Sequence, residues 1–208
     1  MKRPILRFPL LAALAFSIAP GLPAQNEGET TPKSVPAWQM TFENLSPEDR
    51  TRYNEALMRG TTLFNQKRIF EAINSVNDAM NIFDSDPAAM NLKGACYVEF
   101  RHFERARELF QEALALSPDS TSILFNLAEM DFVTGQWQEC HDRMSALIPL
   151  LSPKEIAMRH LVEFKLMLSM IKLGKIDEAT EFGNKYDFEH DTPYYYYANA
   201  ALEYEQGN

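Results

Sequence analysis

The residues that come nearest to a catalytic arrangement are Cys140, His141 and Asp142, which follow one another directly. A thiol, an imidazole and a carboxylate form a nucleophilic relay when each one hydrogen-bonds to the next. The surrounding pattern predicts a helix, and neighbours in a helix point about 100° apart, so the three side chains cannot make such a relay. We therefore predict that Cys140 is a buried structural residue and not a nucleophile.

Other reactive side chains are scattered along the chain. The four histidines, at positions 102, 141, 160 and 190, lie far apart and form no zinc-binding pattern. The sequence also has no Gly-rich phosphate loop, nucleophile elbow or EF-hand loop. Cys96 and Cys140 could pair in an oxidising compartment, but both stand at predicted helix-interior positions, which favours two buried thiols. We thus predict no catalytic residues, no metal and no cofactor, and a protein that is not an enzyme.

The charge balance of the chain disfavours two classes of binding partner. The chain has 208 residues, of which 46% are hydrophobic and 24% charged, with a net charge of −9. The first 24 residues hold three basic residues and no acid, so the remainder sets 17 basic against 29 acidic residues, or −12. An acidic surface repels nucleic-acid backbones and anionic membranes. We therefore predict that the protein does not bind nucleic acid and does not dock on anionic membranes.

The N-terminus has the pattern of an export signal. A basic segment, MKRPILR, precedes the short apolar segment FPLLAALAFSIA, and the small residue Ala24 follows. We predict a secretory signal peptide at 1–24 and an exported protein, periplasmic or secreted, with no stable membrane span after cleavage. A cut after Gly21 and an uncleaved N-terminal membrane anchor are the alternatives. Polar residues 25–45 predict a flexible lead-in, from which Trp38 and Phe42 could fold back onto the first helix.

A 34-residue repeat is the strongest pattern in the chain. Small residues recur at Gly60, Gly94 and Ala128, and three further slots recur at the same spacing. These slots hold Ile69, Phe103 and Trp137; Ala72, Ala106 and Cys140; and Ala79, Ala113 and Leu147. We expect the small residues of two paired helices to face each other, and successive pairs to stack.

A fourth copy follows after 39 residues, with Gly174 at its turn. Its first helix is expected to start near Ser152, which could form a capping box with Glu155. Met167 stands where the other copies have a small residue, so we expect looser or shifted packing there.

This pattern resembles the tetratricopeptide repeat, a helix-turn-helix unit with a small and an aromatic residue in its first helix. Residues 87–120 match it best, with Gly94, Tyr97, Ala106, Phe110, Ala113 and Pro118. The resemblance implies an all-α fold: a right-handed α-solenoid of antiparallel helix pairs, with about four repeats and a final half repeat. The solenoid is expected at 46–208, with repeats near 53–86, 87–120, 121–154 and 155–192 and a terminal helix at 193–206.

In the tetratricopeptide family, the first helices line a concave groove that holds partner segments. Carried over to this chain, the partner-binding groove consists of Leu57, Phe64, Asn91, Phe125, Glu129, Phe132, Phe164, Tyr194, Tyr197 and Tyr204. The resemblance thus implies a non-catalytic scaffold of the cell envelope that binds an apolar or aromatic protein segment. The Lys, Arg and Asn set with which one subclass clamps a C-terminal carboxylate does not occur at these positions.

The tyrosine-rich terminal helix divides by helical phase. Thr192 and Pro193 are expected to begin it, and Gly207 falls at the turn position. We expect Tyr196 and Ala200 to face inward against the fourth repeat, and Tyr194, Tyr197 and Tyr204 to face the groove. Two alternatives remain open: the apolar groove residues pack in the core, or the tyrosines assemble a structural homodimer.

Overall fold

The structure is a computed structural model in which residues 35–185 and 193–206 are described. The predicted signal peptide, residues 25–34 of the lead-in, Thr192 and Gly207 lie outside these residues. Among the helices of the described part, none combines the length and the apolar character that crossing a bilayer requires.

The described residues form a right-handed α-solenoid of antiparallel helix pairs, as the sequence predicts. A short helix, α1 (Ala37–Glu43), precedes four pairs and a last helix, and each helix packs on its neighbours in chain order. The pairs are α2 (Pro47–Asn65) with α3 (Ile69–Met80), α4 (Pro87–Glu99) with α5 (Phe103–Leu116), α6 (Thr121–Thr134) with α7 (Trp137–Leu147), and α8 (Ile156–Lys172) with α9 (Ile176–Gly183). A 3-10 turn (Ile148–Leu150) follows α7, and α10 (Pro193–Gln206) follows the fourth pair.

Two helix starts show how local sequence sets the element bounds. The Ser46 hydroxyl accepts a hydrogen bond from the Asp49 backbone N–H at 3.0 Å, which caps α2 as predicted. At α8, the Glu155 carboxylate accepts a hydrogen bond from the Ser152 N–H at 2.8 Å. The residues between them form a turn, however, so α8 begins at Ile156 and the predicted start near Ser152 is too early.

Each pair is joined by a residue in the left-handed region. These residues are Lys67 and Arg101 (φ 60°), Gly135 (φ 78°) and Gly174 (φ 77°). After each of them, the next N–H donates back to a carbonyl five residues earlier, as in Gln136 to Asp131 at 2.8 Å. This C-terminal cap suits glycine. A side chain with a Cβ costs about 1 kcal/mol there, so the first two repeats hold their basic residues at an unfavourable position.

Within each pair, a small side chain on one helix receives a large one from the other. A Cβ added to Gly60 would lie 3.0 Å from Val76, and one added to Gly94 would lie 2.6 Å from the Phe110 ring. The Cβ added to Gly60 would also lie 3.4 Å from the Ala72 carbonyl oxygen. The two helices of this pair therefore approach closely at their small residues, as expected. The side chain that fills the space, however, lies sixteen residues after the glycine.

In the fourth pair the sizes are exchanged. Met167 is fully buried, and a Cβ added to Gly183 would lie 3.0 Å from its sulfur. Of the expected looser or shifted packing at Met167, the looser alternative is therefore wrong, because a glycine on α9 makes room for the larger side chain.

Buried polar contacts join successive repeats. The Tyr53 hydroxyl donates to the Asp86 carboxylate at 2.6 Å, and the Asn126 amide donates to Asn91 at 2.8 Å. Burial and the nearby carboxylate raise the pKa of Tyr53, so it stays a hydrogen-bond donor. Asp131 is fully buried and accepts from Arg107 at 2.7 Å and from Arg143 at 2.9 Å.

The lead-in is ordered where the structure describes it. Phe42 on α1 packs its ring 5.1 Å from that of Tyr53 and 5.3 Å from that of Phe83. Trp38 packs against the same cluster. The sequence predicts the return of Trp38 and Phe42 to the first helix, but not the contact with Phe83 or the helix at residues 37–43, which this packing stabilises.

Candidate protein-binding face

The candidate site is the face formed by the first helices of the repeats, where the ten predicted groove residues lie. Four of them are buried: Phe64, Asn91, Phe125 and Tyr194. Leu57, Glu129, Phe132 and Phe164 are half-buried, and Tyr197 and Tyr204 are 62% and 50% exposed. The surface available to a partner therefore consists of these six half-buried or exposed residues, most of which lie in the C-terminal half of the chain.

Three of the four buried residues, Asn91, Phe125 and Tyr194, make contacts that hold the helices together. Asn91 accepts the hydrogen bond from Asn126 that joins the second and third repeats. Phe125 belongs to the C-terminal hydrophobic core. The Tyr194 ring lies 6.0 Å from that of His160, and its hydroxyl donates to the Phe182 carbonyl at 3.4 Å. These contacts hold the helices of the face in place.

Accessible rings form a row across α6, α8 and α10. The Phe132 ring lies 5.4 Å from that of Trp137 in an edge-to-face contact. The Phe164 ring on α8 and the Tyr197 ring on α10 lie 6.0 Å apart. We call Phe132, Phe164, Tyr197 and Tyr204 the aromatic row. The rings of Phe132, Phe164 and Tyr197 each contact another ring that restricts their rotamers, which lowers the entropy cost of binding through them.

One ion pair borders the aromatic row. The Lys165 ammonium lies 2.7 Å from the Glu129 carboxylate and 4.5 Å from the centre of the Phe132 ring. It thus makes both an ion pair and a cation–π contact, and it links α6 to α8. Lys165 was missed at the sequence level because it lies one position beyond the family's groove slot at Phe164, and nothing in the local sequence indicates a partner 36 residues upstream.

The terminal helix is rotated relative to the prediction. Its buried stripe is Tyr194, Ala198 and Leu202, which are spaced four residues apart. Tyr196 is 48% exposed and Ala200 is exposed, so the prediction that these two face inward is wrong. Tyr196 and Tyr197 thus present two different accessible faces of α10.

The reactive side chains do not assemble a chemical site in the described part. Cys96 and Cys140 are free and fully buried, which confirms the prediction of two buried thiols. Burial raises the pKa of each thiol to about 12, with Glu99 contributing at Cys96 and Glu129 at Cys140. The His141 ring nitrogen contacts Asp142 at 2.9 Å, on the helix surface. Residues 35–185 and 193–206 contain no cluster of three metal-ligating side chains.

Comparisons with known proteins indicate which fold the chain shares with them. No family model matches the chain. The mitochondrial import receptor subunit TOM70 of Saccharomyces cerevisiae is 26% identical over 143 residues, which is 66% of this chain and 23% of that protein. The chain thus spans about a quarter of the length of the curated relatives that it matches.

Two of the solved structures that resemble the chain, PilF and MamA, match more of it than TOM70 does. PilF of Pseudomonas aeruginosa matches with a TM-score of 0.63 and 17% identity, over 76% of this chain and 71% of that one. MamA matches with a TM-score of 0.56 and 16% identity, over 83% and 88% of the two chains. The Thermobaculum terrenum O-GlcNAc transferase matches with 0.54 and 17%, over 61% and 23%. Together with the repeat geometry, these likenesses show that the fold is a tetratricopeptide-type solenoid.

Proposed function

We propose that this tetratricopeptide-type solenoid is a non-catalytic scaffold that holds an apolar or aromatic protein segment on its aromatic row. The observation that supports the proposal is the presence of half-buried or exposed aromatic residues on three first helices, α6, α8 and α10, with the Phe164 and Tyr197 rings 6.0 Å apart. A row of that kind offers a large, rigid contact area of the type that dominates protein interfaces. The neighbours TOM70, PilF and MamA support it through their shared fold, because such solenoids are protein-interaction scaffolds.

The polar edge of the row suits a segment that also carries charge. Glu129 and Lys165 lie 2.7 Å apart as an ion pair, and charged side chains of a partner could bind either one at the edge of the aromatic row. A location in the cell envelope rests on the signal pattern of residues 1–24, which stands as a sequence prediction.

The test is affinity capture from an envelope extract, with the chain from Gln25 onward as bait. A Tyr197→Ser/Tyr204→Ser variant removes two exposed rings, and the matched control, Tyr196→Ser, removes a ring from the other accessible face of the same helix. We expect a protein that the wild-type and control baits capture and the double variant loses. Equal capture by all three baits would show that the aromatic row is not the binding surface.

A homodimer built through α10 is the second candidate, and the exposure of Tyr196 favours it. Sedimentation equilibrium from about 1 to 100 µM separates the two. A dimer that Tyr196→Ser dissociates would support self-assembly, whereas a monomer throughout would exclude it over that range.

A further inference from the structure

We propose that a second surface, at the turn of the second repeat, binds an acidic protein segment with an aromatic anchor. This surface, the turn patch, lies where α4 turns into α5 and shares no residue with the aromatic row. Its members are Phe70, Tyr97, Phe100, Arg101, Phe103 and Arg105.

The apolar part of the turn patch centres on Phe70. This ring is 73% exposed, more than any other large hydrophobic residue of the described part. It stands edge-to-face against Phe100 of the next repeat, with the ring centres 6.2 Å apart. The His102 ring continues the series, 6.3 Å from Phe100 and 6.1 Å from Tyr97. An exposed ring with a fixed neighbour offers an aromatic side chain a rigid edge to pack on.

Two cations flank these rings. The Arg101 guanidinium lies 5.8 Å from the Phe103 ring, and that of Arg105 lies 5.8 Å from the Tyr97 ring. Neither makes an ion pair with a carboxylate of the described residues, although the neighbouring Lys67 pairs with Glu99 at 3.0 Å. Both arginines are exposed, so their charges are available to carboxylates from outside the molecule.

A shallow hollow lies between the two arginines. Residues 101–105 line its volume of about 370 Å³. Glu104 is one of them, and it leaves the lining with one net positive charge in a chain of net charge −9. A wholly acidic ligand would meet Glu104, so the geometry favours carboxylates that are spaced by an apolar side chain.

The backbone of Arg101 gives an independent indication. The left-handed position holds glycine at 135 and 174 but Lys67 and Arg101 in the first two repeats. The ion pair with Glu99 accounts for the side chain of Lys67. Arg101 has no such partner, so its side chain occupies a strained position without a compensating ionic contact inside the described structure. The turn requires the left-handed conformation, but glycine would adopt it without strain, so the presence of Arg at this turn is consistent with a role of its side chain in binding.

The occupant follows from this chemistry. Two guanidinium groups that have no ion-pair partner among the described residues can bind carboxylates, and the exposed ring beside them can pack on an aromatic side chain. The acidic balance of the chain disfavours a nucleic acid, whose phosphates would meet the remaining surface. A protein segment in which acidic residues flank a phenylalanine fits all three features.

The test measures binding of a fluorescein-labelled peptide, Gly-Ser-Glu-Phe-Glu-Asp-Phe-Glu-Ser-Gly, by fluorescence anisotropy with the chain from Gln25 onward. A second peptide carries Lys at each acidic position. We expect the acidic peptide to bind with a Kd below about 1 mM and the basic one not to bind. Added salt should weaken the binding, because the contacts are ionic and exposed.

Variants with matched controls locate the contact. Arg101→Gln/Arg105→Gln should raise the Kd about tenfold or more, while Lys154→Gln/Lys172→Gln, with the same change in charge, should leave it within about twofold. Phe70→Ser should raise it about fivefold, and Met58→Ser, which removes another exposed apolar side chain, should not. Far-UV circular dichroism confirms that each variant is folded.

Three results would overturn the proposal: absence of binding, equal binding of the basic peptide, or equal affinity of the arginine variant and its control. The Tyr197→Ser/Tyr204→Ser variant keeps the turn patch intact, so it should bind the peptide like the wild type. Loss of binding in that variant alone would assign the peptide to the aromatic row instead. Failure of the turn patch is thereby distinguished from failure of the proposed scaffold function.

Discussion

The exchange of sizes between Met167 and Gly183 yields a quantitative prediction. Met167→Ala opens a cavity in the fully buried core of the fourth pair and should lower the free energy of unfolding by about 3 kcal/mol. Gly183→Met forces a side chain into a space where even a Cβ would lie 3.0 Å from the Met167 sulfur and 3.1 Å from Leu202. We expect overpacking to cost about 2 kcal/mol net of the better helix propensity.

The double variant Met167→Ala/Gly183→Met should be less unstable than the sum of its parts. It places in the fourth pair the residues that occupy the same slots of the third, Ala128 and Met144, both of which are fully buried. Independent effects would add to about 5 kcal/mol, whereas complementary packing should leave a loss of about 2 kcal/mol, a coupling of about 3 kcal/mol. The residual loss reflects Leu202 on α10, which would lie 3.1 Å from a Cβ at position 183.

Urea unfolding followed by circular dichroism at 222 nm measures the four stabilities, with the slope of each transition checked for constancy. Met58→Ala, an exposed change on α2, serves as the control and should lie within about 0.5 kcal/mol of the wild type. If the double variant loses the full sum, Met167 and Gly183 do not complement each other, and our account of the fourth pair is refuted.

Three further predictions concern the turns, the buried carboxylate and the thiols. Arg101→Gly should raise the free energy of unfolding by about 1 kcal/mol, and Gly135→Ala should lower it by about as much, because both residues have a positive φ; urea midpoints test the two signs. Asp131→Ala removes the shared partner of two half-buried arginines and should cost about 3 kcal/mol, seen as a lower melting temperature. Cys96 and Cys140, with pKa values of about 12, should react with Ellman's reagent at pH 8 only after unfolding; above roughly pH 8.5 the unfolded thiols ionise while the native ones do not, so stability should fall as the pH rises.

The sequence predicted the fold because the repeat imposes a pattern that physics requires at every copy. Ala72, Ala106, Cys140 and Ala179 fall in one slot and are all fully buried, as close helix pairing demands. The exchange at Met167 could not be found in the same way. The compensating residue, Gly183, lies sixteen residues downstream. Aligning the repeats one position at a time does not reveal that two positions change together.

The candidate site was predicted less completely than the fold. The sequence aligns Ala200 with Gly60 and Gly94, but those glycines are covered by the second helix of their own pair. No second helix covers Ala200 among the described residues, so it is exposed where an inward position was expected. Lys165 and the buried state of Asn91 depend on contacts between repeats, which a pattern within one repeat cannot contain.

The buried polar contacts between repeats have a consequence for assembly. The apolar slots are nearly interchangeable, so hydrophobicity alone would let any pair stack on any other. Each junction differs in its polar chemistry: Tyr53 with Asp86 at the first, Asn91 with Asn126 at the second and Glu129 with Lys165 at the third. A chain that stacked its repeats in another order, or exchanged them with a second copy, would bury polar groups without partners. The polar contacts at the junctions therefore determine the order in which these otherwise similar repeats stack.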